Sequence, residues 1–206
     1  MFYICPITNQ NYIIMKTKEI QLFKFEELSV EVQAKLVEKN GDINVYDDWH
    51  SDSLEDFKTE LAEEGFTDAT ISYSGFWSQG DGLSFDATID IDKFAETSSE
   101  KRIAKLINNG DLDNYTICRN SYANHYSHSR TRYVDKPYFH SNKHINLEAI
   151  VDALEEKINN KRLELCEKYY RALEKEYDGL QTEESIIETL IDNDNDYLIN
   201  GTVFND

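Results

Sequence analysis

Three groups of residues in this chain have types and spacings suited to chemistry. The first is acidic. Asp86, Asp90 and Asp92 recur at even intervals within Leu83-Ser-Phe-Asp-Ala-Thr-Ile-Asp-Ile-Asp. Residues an even number apart on a strand share a face. The spacing therefore predicts a wet row of carboxylates, with Leu83, Phe85, Ala87, Ile89 and Ile91 on the buried side. Such a row suits a basic partner, toward which it would imitate the charges of a phosphate backbone.

The second group is the turn Ser78-Gln-Gly-Asp-Gly82, with Phe76 and Trp77 just before it. Its glycines are free to adopt positive φ, and Asp81 can bond nearby backbone. Closing a hairpin accounts for most of this composition. Backbone N–H groups offered to an anion, or Asp81 offered to a cation, are the functional reading. The aromatics add a contact patch, so Trp77, Gln79 and Asp81 are candidate partner-binding residues. Alternation also allows Trp77 to join Ile71 and Tyr73 on the buried face.

The third group is basic and aromatic. Arg119, Tyr126, His128, Arg130 and Arg132, with Tyr122, His125 and Tyr133, suit phosphate binding and base stacking. Pairing of these cations with acidic helices is the favoured account, and nucleotide or RNA binding is the alternative. His125 and His128 lie three apart, so on a strand they face opposite ways. With no nearby Cys or acidic pattern to complete a tetrahedral set, no metal site is expected. Cys5, Cys118 and Cys166 show no CxxC spacing, which argues against zinc or a disulfide framework and fits a reducing compartment. There is no nucleophile elbow, P-loop or dinucleotide fingerprint. No catalytic residue, cofactor or enzyme activity is expected.

The elements that must position these residues read as α+β. Residues 70–77 and 83–92 predict an antiparallel hairpin, and 20–25 a further strand. Two or three more strands fall within 114–140. Helices are expected over 30–39, 52–64, 99–108, 147–178 and 183–191. The longest carries one apolar stripe, from Leu147 through Leu154, Ile158 and Leu165 to Tyr177. It should pack on the sheet. Asn200-Gly201 between apolar flanks predicts a tight C-terminal hairpin. Residues 16–206 read as one domain, and 1–15 as an extension or an alternative start.

The 206 residues carry a net charge of −19. Residues 1–100 contribute −14 and 148–206 contribute −10, while 101–147 carry +5. Such a chain repels nucleic acid as a whole and is drawn to basic surfaces. No apolar run reaches the length of about 18 residues that spans a bilayer.

Several stretches carry a resemblance. They are Leu22-Phe-Lys-Phe-Glu-Glu-Leu-Ser29, Ser74-Gly-Phe-Trp-Ser-Gln-Gly-Asp-Gly-Leu-Ser-Phe85, His125-Tyr-Ser-His-Ser129, Tyr170-Arg-Ala-Leu-Glu-Lys-Glu-Tyr177 and Thr182-Glu-Glu-Ser-Ile186. Together they resemble a family of small proteins of bacteriophages and other mobile elements with an S-G-F-x-S-Q-G-D-G core. Leu83 stands where that family often has Ala. The resemblance implies a phage gene product in the bacterial cytoplasm and, as an accessory protein, one that counters host defence. The resulting expectation is an acidic inhibitor of a CRISPR-type or other nucleic-acid-binding complex. Its partner would be a host protein or ribonucleoprotein with a basic surface, met through Trp77, Gln79, Asp81, Asp86, Asp90 and Asp92. A nucleotide- or RNA-binding protein is the alternative, and a metal-dependent nuclease stands third.

Overall fold

The computed structural model describes residues 19–46, 48–120, 127–139 and 147–205. The fold class is α+β. The chain divides into two compact units: residues 42–185, and the described parts of 1–41 with 186–206.

In the larger unit the sheet runs β1 (Phe66–Ser74), β2 (Gly82–Ile89), β3 (Thr116–Arg119) and β4 (Arg132–Asp135), in that order and antiparallel throughout. The expected hairpin is β1–β2, with Ile71 opposite Phe85 and Ser74 opposite Gly82. One register irregularity falls between Thr67 and Thr70, where Asp68 takes a φ of 52°. Asp tolerates that left-handed conformation better than most residues, and the extra residue forms a bulge. The β2–β3 ladder is only two residue pairs long, Ala87–Ile117 and Thr88–Thr116.

Alternation on β2 explains the core. Leu83, Phe85, Ala87 and Ile89 are buried in the same cluster as Ile117 and Val134. The helix α5 (Glu148–Leu180) supplies Val151, Leu154, Ile158, Leu165, Tyr169 and Leu173 to that cluster. This is the apolar stripe read from the sequence. Phe57, on helix α2 (Ser51–Glu63), stacks on Tyr169 with ring centroids 4.4 Å apart. A short helix α3 (Ile91–Phe94) precedes α4 (Ser98–Asn108). In α4 a capping box satisfies the first turn: Thr97 Oγ1 accepts from Glu100 N, and Glu100 Oε2 accepts from Thr97 N at 2.7 Å.

In the smaller unit α1 (Val30–Lys39) presents Leu36 and Val37 as buried residues. Ser29 stands at its N-cap position but makes no side-chain capping bond. The helix α6 (Glu183–Asp192) carries the chain across from the larger unit, with Thr182 Oγ1 accepting from Ser185 N. The tight turn at Asn200-Gly201 forms, with Gly201 N donating to Leu198 O at 2.8 Å. Gly201 has a φ of 83°, and a Cβ there would lie 2.8 Å from Val32 Cγ1, so only glycine fits.

Two expectations are corrected. The 20–25 strand reduces to a single bridge, Phe23 with Tyr197, because the chain enters a 3-10 turn at Phe25–Glu27. The β2 strand ends at Ile89, not Asp92. Asp90 becomes the N-cap of α3, its Oδ1 accepting from Asp92 N at 3.3 Å. An alternating sequence continued past Ile89, but Asp at a helix start competes with strand pairing.

Candidate functional site

The turn joining β1 to β2 is built by close approach. Ser78 N donates to Asp81 Oδ2 at 2.6 Å, and Asp81 N donates to Ser78 O at 3.0 Å. Gly80 has a φ of 98°, a conformation open to glycine. Gly82 has ordinary φ, but a Cβ there would lie 3.0 Å from both Cα and Cδ2 of His128. Ser74 Oγ accepts from Ser127 N at 3.3 Å. The small residues of the Ser74–Phe85 motif therefore let the 127–129 segment lie directly on the hairpin.

This bracing leaves one ring outside. Phe76 packs among Tyr73, Tyr170 and Tyr177, with centroids 5.3 to 6.0 Å away. Trp77 lies edge-on to Tyr177 at 5.1 Å yet is 70% exposed. Trp49 closes the group, 5.5 Å from Tyr177. Trp77 thus faces outward and does not join Ile71 and Tyr73 in the interior. Gln79 is exposed beside it. Carboxylates surround the group: burial first, then Glu174 and Asp81, raises the Tyr170 hydroxyl above its usual pKa.

The stretches that carry the phage-family resemblance converge here. Asp81 and Gly82, His128 and Ser129, and Tyr170 and Arg171 line one cavity of about 190 Å3. His128 Nδ1 accepts from Arg130 N at 3.1 Å, which in the neutral ring places the proton on Nε2. Cys166 reaches the same cavity. Burial pushes its thiol up to about 11, so it stays protonated at neutral pH and is a poor nucleophile.

The acidic row expected on β2 does not form. Ser84, on its intended wet side, is fully buried. Asp86 is held by Arg132: Nε lies 2.7 Å from Oδ1, and Nη2 donates to Oδ2 at 3.1 Å. Asp92 Oδ2 accepts from Asn108 Nδ2 at 3.0 Å, beside the α3 N-terminus. Asp86, Asp90 and Asp92 therefore do not share one strand face.

The basic stretch is split in the same way. Arg132 is buried, and Arg119 sits opposite it in the β3–β4 register. Arg130 is exposed. Tyr126, with Tyr122 and His125, lies outside the described residues. Sequence reasoning missed Arg162, which is 2% exposed on the buried face of α5. Its Nε and Nη2 donate to Asn159 Oδ1, and Nη1 donates to Ser129 O at 2.7 Å. Burial lowers its pKa from the usual arginine value. The signal was available: Arg162 is four residues past Ile158 and three before Leu165, inside the apolar stripe.

Among the described residues no group of three or more His, Cys, Asp or Glu side chains is placed to hold a metal ion. None of the described helices is long and apolar enough to cross a membrane. A match to the family described as domain of unknown function (DUF8835) spans residues 49–183, which contain the turn, both arginines and all of α5. No curated protein and no solved structure matches the chain.

Proposed function

The chain belongs to the DUF8835 family, and we propose that it works by binding: a phage-encoded acidic inhibitor that docks on a basic surface of a host defence complex, of CRISPR type or another that handles nucleic acid. One observation carries the reading. Trp77 is 70% exposed although seated on Tyr177 and Phe76, at a turn pinned by Asp81. An exposed aromatic held rigid in advance loses little conformational entropy on binding, which is the character of an interface hot spot. The net charge of −19 supplies steering toward a cationic partner.

The contact set is then Trp77, Gln79 and the carboxylates near the aromatic group, Asp81 and Glu174. Asp90 and Asp92 are a secondary acidic patch. Asp86 drops out, because Arg132 neutralises it. Phosphate mimicry rests on the distributed acids of α5 and α3 and not on a strand row.

Co-purification of tagged chain from phage-infected cells, washed at rising salt, tests this. The parent should retain a nucleic-acid-handling complex, released as salt rises. Trp77→Ala should lose it while melting at nearly the parent temperature. Equal recovery with Trp77→Ala and Gln79→Ala would remove the turn from the interface. A second reading, nucleotide or RNA binding by residues 119–133, is favoured by the unbalanced charge of Arg162.

A further inference from the structure

Arg162 presents an electrostatic problem. A buried guanidinium is costly unless an anion balances it. Arg132 has Asp86. Arg162 has only neutral oxygen acceptors, Asn159 Oδ1 and Ser129 O. Among the described residues no carboxylate is within ion-pair distance of it. Its neighbour Cys166 is a protonated thiol at neutral pH and supplies no charge. Three of the five guanidinium N–H groups are taken by oxygens, which leaves donors over.

Both arginines border a cavity of about 580 Å3 that also takes in Arg130 and Tyr133. That size lies in the range of small-molecule sites and well above what a lone inorganic anion fills. The two buried guanidiniums contribute to its inner wall, and Arg130 is exposed. Tyr133 is 47% exposed and offers a ring face. Asp152, Glu155 and Glu156 complete the lining from α5. Lys136 pairs with Asp152 and lies 3.5 Å from Glu155 Oε2. These positions, with Asn159 and Arg162, recur at three- and four-residue steps, so one face of α5 carries acids first and the arginine a turn later.

We propose that this cavity binds a nucleoside monophosphate, its single phosphate held by Arg162 and Arg130. Arg132 adds positive potential, and Tyr133 stacks on the base. The three carboxylates accept hydrogen bonds from base N–H groups and repel additional phosphates. A monoester therefore fits where a triphosphate does not. This deepens the nucleotide-binding reading of the 119–133 stretch and rests on it, while moving the phosphate site onto α5.

Thermal shift and calorimetric titration test it with four probes: inorganic phosphate, AMP or GMP, ATP, and a short single-stranded RNA. The monophosphates should raise the melting temperature of the full chain, more than phosphate alone and more than ATP. Arg162→Met should fold with an unchanged or higher melting temperature, since apolar replacement of a buried ion is commonly neutral or stabilising. It should weaken monophosphate binding about tenfold or more, from loss of a charge-assisted contact. Arg130→Ala should weaken it too without altering the melting temperature. RNA binding that persists in Arg162→Met, with no response to monophosphates, would overturn the site and leave the broader reading standing. No response to any probe would overturn both. ATP binding as tightly as AMP would overturn the selectivity argument.

Discussion

The hairpin turn and the arginine pair both bring polar groups out of water, but over different distances along the chain. In the turn, Asp81 satisfies Ser78, three residues away. In the arginine pair, Arg132 finds Asp86 across 46 residues and Arg162 finds Ser129 across 33. The turn is a local solution, specified by glycines and one Asp. The arginine pair exists only once β4, the 3-10 turn at Ser129–Thr131 and α5 have been assembled. The first region keeps its function on an exposed ring. The second keeps charge in the interior, where a ligand has to balance it.

Substitutions that exchange local for distant support should separate the two regions. The largest effect is expected at Asp86. Reading it as an exposed strand acid predicts that Asp86→Lys preserves folding. With Arg132 buried against it, the substitution instead places two cations together, and stability should fall by about 3 kcal/mol. Urea unfolding measures this. A loss no larger than that of Asp90→Lys would mean the pair contributes little.

Next comes the turn. Gly82→Val drives a side chain into the backbone of His128, for about 1–3 kcal/mol. Gly80→Val meets a φ of 98°, at about 1–2 kcal/mol. The ratio sharpens the comparison, since Gly82 reports a tertiary contact and Gly80 a local one. Adding His128→Gly should relieve Gly82→Val and leave Gly80→Val unchanged.

The smallest expected effects are at the surface. Trp77→Ala should change stability by under about 1 kcal/mol, because the ring is mostly in water. At Glu100 the backbone N–H of Thr97, foremost among its partners, holds the carboxyl below its usual pKa. A depressed carboxylate contributes stability that is present above its unfolded pKa and lost as pH falls through the folded one. The parent should therefore lose about 0.5–1 kcal/mol on acidification through the carboxylate range. Glu100→Gln should show a flatter profile there. Parallel profiles would assign the acid sensitivity to other groups.

Most of the fold was legible. The helices at 30–39, 52–64, 99–108, 147–178 and 183–191 appear within a few residues of where periodicity and stop signals place them. The hairpin is in place, and two strands form within 114–140. The misread portions share a cause. Residues 20–25 alternate but have too few partners to become a strand, and Asp90 and Asp92 continue an alternation that the backbone abandons for a helix. Of the site, the exposed Trp77 and the Asp81-pinned turn were readable from composition. Asp86 was misassigned as wet, and Arg162 went unseen.

By itself the sequence determined the α+β class, the apolar faces of β2 and α5, and the construction of the turn. These depend on side-chain period and on backbone preferences that act over a few residues. Tertiary structure decided which charges are neutralised. The interaction of Arg132 with Asp86, and the isolation of Arg162 among neutral acceptors, depend on distance and desolvation. Both are set by packing between elements far apart in the chain.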